Sequence, residues 1–301
     1  MVRFGVAGYP PAFHKSVYKR DRIKILNWLD DLGLDALELQ MTYGPRTKKE
    51  TCLEYSNVSS ELGISLSVHA SYFIVLTSDD PGKLDNSRET LKKTFELSNY
   101  LGSKKIILHP GSLYKIDSNI ILERLIKNLS SVMNDIGKSD IGLFLETAGK
   151  VGQLGSVNEI LEICKNIQGV FPCIDFGHVH ARTLGSLDTE DSVTSILNQI
   201  EKAGYLKNPN EVHFHYTPID YGSRGEIVHK AIDDKYPEES QMFLPGFDVN
   251  NCRSKDGFYY PRHEHVASSL KKFSLDCTVI SETHNSQEVG AIALKKSYED
   301  S

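Results

Sequence analysis

The 301-residue sequence predicts a (β/α)8 TIM barrel with an insertion between strand seven and its helix. Two observations carry that expectation. Short apolar or β-branched runs alternate with longer amphipathic stretches along the whole chain, the texture of parallel strands joined by crossover helices. Eight such pairs fit the length of one barrel with room for an insertion. An open doubly wound sheet is the competing architecture, and it wants a Gly-rich phosphate loop after strand one. Here strand one runs into Gly5-Val6-Ala7-Gly8-Tyr9-Pro10-Pro11, and a single GxxG followed by two prolines cannot open a helix directly.

Strands are expected at residues 4–7, 36–40, 65–69, 105–109, 142–146, 171–175, 211–215 and 278–282. Helix patterning fills residues 21–32, 48–62, 86–101, 119–136, 156–167, 189–203, 262–273 and 287–298. Ser156 and Glu159 have capping-box spacing. Gly33, Gly63, Gly102 and Gly204 fall just past helix ends, where a left-handed residue closes the last turn. The stretch 216–261 is too long for an ordinary barrel loop and reads as a lid or inserted subdomain within a single domain spanning 1–301.

Composition excludes several classes. With 40% hydrophobic and 25% charged residues, the chain is neither disordered nor low in complexity. A net charge of −6 argues against an arginine-rich nucleic-acid binder, although a local basic groove remains compatible with it. The five cysteines are odd in number and form no CxxC, so neither a disulfide framework nor a zinc ribbon is expected. The N-terminus has none of the zones of a signal peptide, and no apolar run is long enough to cross a bilayer. A cytoplasmic monomer is the resulting expectation.

The chemistry gathers at strand ends. Strands three to six end at His69, His109, Glu146 and Asp175, with His178 a short turn later. Strand seven carries His213, and strand eight ends at Glu282. The C-terminal ends of barrel strands share one mouth, where active sites are built. A core histidine held by one hydrogen bond would explain His69, His109 or His213 singly, but not all of them facing one mouth. Imidazole and carboxylate without thiolate suit zinc, manganese or iron. More donors converge than one tetrahedral ion can use, so two or three ions bridged by a carboxylate are expected. Closely spaced ions clamp a phosphate and activate water for in-line attack, which points to phosphodiester hydrolysis.

The runs Ser67-Val68-His69-Ala70-Ser71-Tyr72, Ile107-Leu108-His109-Pro110-Gly111-Ser112, Phe144-Leu145-Glu146-Thr147-Ala148-Gly149 and Cys173-Ile174-Asp175-Phe176-Gly177-His178 resemble those of the endonuclease IV family. Val212-His213 and Ile280-Ser281-Glu282 extend the resemblance. It implies a trinuclear zinc site in a xylose-isomerase-like barrel that cuts DNA on the 5′ side of abasic sites. By motif match His69, His109 and Glu146 hold one ion. Glu146 bridges to a second, held also by Asp175, His213 and Glu282. His178 holds a third with an acidic residue and a histidine from the loop after strand seven. Glu146 and Glu282 are the implied catalytic carboxylates. The family's His-x-Asn-Asp-Ser and Asp-Arg-His are absent here. Glu226 and His229 of Gly225-Glu226-Ile227-Val228-His229 take the second place, with His263 and His265 as the rival pair.

Tyr72 and Phe73 match the family's insertion position in the duplex, and Arg46 its intercalating arginine. Packing at the barrel mouth would account equally for the two aromatics. Lys48 and Lys49 could contact phosphate but read first as a solvated helix start. His180 and His215 read as supporting groups or substrate contacts, and His14 and His284 as surface residues. A one-metal sugar or sugar-phosphate isomerase or epimerase of the same superfamily is the alternative. A binder that keeps the site only for structure is the third reading.

Overall fold

Eight parallel strands close into a barrel in the order β1-β10-β7-β6-β5-β4-β3-β2. The computed structural model describes residues 1–236 and 256–301. Its elements are β1 (Val2–Ala7), α1 (Ile25–Asp31), β2 (Ala36–Gln40), α2 (Lys49–Leu62), β3 (Ser65–His69), α3 (Pro81–Tyr100), β4 (Lys105–Leu108) and α4 (Ser118–Ile136). They continue with β5 (Gly142–Glu146), α5 (Val157–Asn166), β6 (Val170–Asp175), α6 (Phe176–Arg182), α7 (Glu190–Lys202) and β7 (His213–Tyr216). An antiparallel pair, β8 (Ile219–Gly222) and β9 (Gly225–His229), precedes α8 (His263–Lys272), β10 (Cys277–Ser281) and α9 (Gln287–Asp300). The strand–helix alternation of the sequence is therefore the fold.

Local chemistry sets the helix starts. Ser156 and Glu159 form the reciprocal capping box at α5. Asp80 caps α3 with Pro81 in its first turn, so that helix begins earlier than its apolar pattern indicates. The first helix starts later, because residues 22–24 form a 3-10 turn. Asp175 ends β6 and at once caps α6 by accepting from the His178 amide. That short helix is hidden in the sequence, since it lies where a loop is expected.

Each strand divides its residues between two environments. Val6, Leu37, Val68, Ile106, Leu143 and Val279 join the large core beneath the helices. The alternate residues Ala7, Ala36 and Ile280 form one small separate cluster, and Ile107, Phe144 and Cys173 another, which fill the barrel interior. Inward positions thus recur every two residues. Ser67 pairs with Glu38 and His69 with Gln40 across β2–β3, while His213 and His215 pair with Cys173 and Asp175 across β6–β7. In each pair of positions, the later one lies nearer the C-terminal mouth.

The segment after β7 begins as the β8–β9 hairpin, and the Ile219 amide donates to the Tyr260 carbonyl at 2.9 Å. Its Pro237, Pro245 and Gly246 lie outside the described residues. Cys52, Cys164, Cys173 and Cys277 are free and buried. Among the described residues no helix is long and apolar enough to cross a membrane.

β1 approaches β2 closely at Gly5, where an added Cβ would lie 2.0 Å from the Ala36 carbonyl oxygen. Backbone cannot yield there as a flexible side chain would. Gly5→Ala should cost about 3 kcal/mol, the upper end of ordinary overpacking, and lower the thermal midpoint measured by circular dichroism. An unchanged midpoint would contradict this packing.

Candidate metal centre

Glu146, the last residue of β5, is wholly buried. Its Oε2 faces His69 Nε2 at 3.1 Å and His109 Nε2 at 3.5 Å. Its Oε1 faces His178 Nδ1 at 3.1 Å and His215 Nδ1 at 3.2 Å. Three groups of donors meet around this carboxylate. His69, His109 and Glu146 form one; Glu146, Asp175, His215 and Glu282 form the second; His178, Glu226 and His229 form the third. Within each group the donor atoms lie within 4.8 Å of one another.

The third group depends on two glycines. Gly225 in β9 packs against the Gly149 carbonyl, where a Cβ would come within 2.1 Å of the oxygen, and the Glu226 amide donates to that same carbonyl at 3.1 Å. A Cβ on Gly149 would in turn meet Glu226 Cβ at 2.7 Å. This close approach delivers Glu226 and His229 from the hairpin to His178 on α6.

The ring orientations test whether cations fit. His178 donates Nδ1–H to the Thr147 carbonyl at 2.8 Å, and His229 donates Nδ1–H to the Glu282 carbonyl at 3.2 Å. Their Nε2 atoms then confront each other at 3.3 Å, lone pair to lone pair, with a Glu226 oxygen 3.8 Å from each. His69 likewise donates Nδ1–H to the Ala70 carbonyl at 2.9 Å and turns Nε2 toward Glu146. Asp175 uses Oδ1 to cap α6, while its Oδ2 is buried without a hydrogen-bond partner. Such contacts need a proton or a cation between the facing atoms. An all-nitrogen-and-oxygen donor set with preset tautomers suits divalent zinc, manganese or iron.

The electrostatics agree. Burial opposes a charge on Glu146, yet His109, His215 and His178 outweigh it and hold the carboxyl well below the usual range. Burial also opposes a charge on His69, but Glu146 in particular lifts it to about 9. His109 is pushed down to about 3 by burial, which Glu146 offsets only in part while the neighbouring imidazoles add to it. Burial raises the Glu282 carboxyl.

Residues 26–299 match the model of the xylose isomerase-like TIM barrel. The chain belongs to the xylose isomerase-like TIM barrel family. An uncharacterized protein of Methanocaldococcus jannaschii is 28% identical over 304 residues, covering 100% of this chain and 98% of that one. A probable endonuclease 4 of Staphylococcus carnosus is 26% identical over 241 residues, 70% of this chain and 80% of that protein. Among solved structures, endonuclease IV from Thermus thermophilus superposes with a TM-score of 0.65 at 15% identity, over 99% of this chain and 100% of that one. A D-psicose 3-epimerase from Clostridium cellulolyticum superposes with a TM-score of 0.63 at 14% identity, over 99% and 98%. These solved structures share the family's fold.

Most residues picked from the sequence meet at the mouth of the family barrel: His69, His109, Glu146, Asp175, His178, Glu226, His229 and Glu282. His213 does not join the second group. It lies one interior layer deeper, its Nε2 3.1 Å from Glu38, and His215 takes the place expected of it. The two share one face of β7, and the later residue is the one nearer the mouth. Glu38 was missed altogether, because it stands two residues before the end of β2; its strand pairing with Ser67 is the signal that would have found it. The rival pair stays apart from these groups. His263 begins α8 with Nδ1 3.0 Å from Ser297 Oγ, and the His265 ring lies tilted against Tyr260 with centroids 5.9 Å apart. His180 accepts from the Leu187 amide, and burial pushes it down to about 4. Tyr72 lies beside His109, with ring centroids 5.2 Å apart. Tyr72 and Phe73 are 54% and 69% exposed, and the Tyr72 ring also packs on His69. Tyr43 is 70% exposed and 6.3 Å from Phe73, and Arg46 is exposed on the same segment after β2.

Because the ion-free His69 is raised to about 9, it carries a proton near pH 7 that a cation must displace. Zinc uptake near neutral pH should therefore release about one proton per chain or more, and apparent affinity should weaken as pH falls. A pH-stat titration with zinc reads both; uptake without proton release would contradict the assignment.

Proposed function

We propose that this protein is a metal-dependent phosphodiesterase that cleaves DNA on the 5′ side of abasic sites. The observation that carries the reading is the set of three donor groups joined at one mouth, two of them through Glu146. Two or three divalent ions held there, zinc foremost, would neutralise a phosphate and make a bound water acidic. The site fits a phosphodiester better than a sugar, because one ion would leave two of the three groups without a task.

The chain's own residues then divide the work. His69 and His109 on one side and His178, Glu226 and His229 on the other would hold the cradle around the scissile phosphate. Glu146 lies between the first two groups and keeps them at fixed separation. Glu282, at the rim with its side chain 14% exposed, is placed to accept a proton from the attacking water. Tyr72, packed on His109, and the exposed Phe73 beside Tyr43 are suited to fill the gap left when an abasic nucleotide turns out of the duplex. Arg46 would contact the strand from the neighbouring loop. Relatives named probable endonuclease 4 support this reading.

A single-ion epimerase is the second reading. The group Glu146, Asp175, His215 and Glu282 is by itself a complete ligand set for one ion, and epimerases share the fold. Ion stoichiometry separates the two.

Purified protein should nick a duplex containing one abasic site and leave the undamaged duplex intact. A chelator should abolish the nick and added zinc restore it. Combined Tyr72→Ala and Phe73→Ala should raise KM for the abasic duplex about tenfold with a smaller change in kcat, as expected from losing stacking contacts. Absence of a metal-dependent nick would dismiss the nuclease reading.

A further inference from the structure

Beneath the mouth lies a second polar layer that the proposed chemistry does not use. Glu38 is wholly buried in the barrel interior, as are His213 and His215. Ser67 Oγ donates to Glu38 Oε2 at 2.9 Å, and His213 Nε2 lies 3.1 Å from the same oxygen. His215 Nε2 is 3.1 Å from Oε1 and 3.2 Å from Oε2, and Gln40 Nε2 donates weakly to Oε1 at 3.4 Å. The opposite nitrogen of the His215 ring, Nδ1, points upward to Glu146 Oε1 at 3.2 Å and Glu282 Oε1 at 3.7 Å.

We propose that Glu38 is a positioning residue: it holds the proton of His215 on Nε2 and turns the Nδ1 lone pair to the cation position shared with Glu146, Asp175 and Glu282. Both ring nitrogens of His215 face carboxylates; with a cation between Nδ1 and the carboxylates at the mouth, the ring keeps one proton, and the acceptor-only Glu38 carboxylate holds it on Nε2. Four donors converge on this one carboxylate, Gln40 the most distant, which compensates its burial and fixes its plane. A hydrogen-bonded carboxylate behind a ligating imidazole sets both tautomer and ring angle and raises ligand basicity. Of the imidazoles around Glu146, His69 and His178 obtain this control from the backbone carbonyls of Ala70 and Thr147. His215 obtains it from Glu38 instead. His213 Nε2 supports the carboxylate from the side, and His213 belongs to none of the three groups at the mouth.

Glu38, His213 and His215 are also close enough together to form a ligand set of their own. A cation there is disfavoured on two grounds. Ser67 already donates to the same carboxylate oxygen, and a neutral His215 ring has only one lone pair, which cannot serve both layers. The proposal rests on the metal reading of the mouth but not on the substrate, so its test uses zinc alone.

Zinc content and chelator-competition affinity would be compared for the wild-type protein and for Glu38→Gln and Glu38→Asp. The amide keeps the size but puts N–H groups where ring N–H groups arrive. Glu38→Gln should raise the zinc dissociation constant of one equivalent about 10- to 100-fold, and Glu38→Asp, which keeps the charge, should recover part of it. If either variant does not fold, two-bond 1H–15N spectra of histidine-labelled, zinc-loaded wild-type protein decide. They should show His215 protonated on Nε2 with Nδ1 bound to zinc. Wild-type affinity in Glu38→Gln would overturn the proposal, as would His215 bound through Nε2. An additional zinc equivalent lost from both Glu38→Gln and His213→Asn would place an ion at Glu38 and overturn it too. A wild-type protein that takes up no zinc would remove this proposal and the metal reading together, whereas a zinc-loaded protein that fails to cut abasic DNA would leave this proposal standing.

Discussion

Glu146 is a buried carboxylate with four imidazoles around its two oxygens. Such a cluster cannot be neutral and relaxed at once. If the rings are neutral, lone pairs face lone pairs at His69–Glu146 and at His178–His229; if they are all protonated, like charges crowd one mouth. His69 and His109 show the conflict directly, one ring held far above its ordinary range and its neighbour far below. Cations placed among these donors would remove both repulsions, and the surrounding architecture fixes the donors in position. Carbonyls of Ala70, Thr147 and Glu282 set three of the rings from behind. Parallel strands bring the donors to one end, and the close contact of Gly149 with Gly225 brings the last two from outside the barrel.

Much of this was legible in the sequence because a barrel strand converts linear order into position. An apolar run ending in His or a carboxylate locates that side chain at the mouth once the fold class is known, and β3, β5 and β6 obey the rule. His109 and Glu282 fall one residue past their strands and still reach the site. The rule weakens when two donors share one strand face. His213 and His215 differ by one interior layer, a distinction that depends on the stagger between strands and not on either residue's surroundings in the sequence. Glu38 is hidden for the related reason that its partners are distant in sequence: Ser67 meets it by pairing of β2 with β3, and His213 and His215 only through closure of the sheet. The helix α6 is hidden because it follows a strand without a connecting loop, its cap being Asp175 of the second donor group.

The family fold by itself is shared by nucleases and epimerases and does not choose between them. The choice rests on what surrounds the common core. His178, Glu226 and His229 add a donor group on the hairpin side, and His69 with His109 another on the opposite side. The exposed Tyr72 packs on the second of these, and Phe73 and Tyr43 lie exposed beside each other. The proposed nuclease reading draws on this breadth.

The most direct measurement is the anomalous difference map of a zinc-loaded crystal collected at the zinc edge. The account predicts peaks at the three donor groups, in the mouth formed by β3 to β7 and β10, with none at Glu38. A map without peaks there, or with a single peak at Glu146, Asp175, His215 and Glu282 and the other two groups bare, would contradict it.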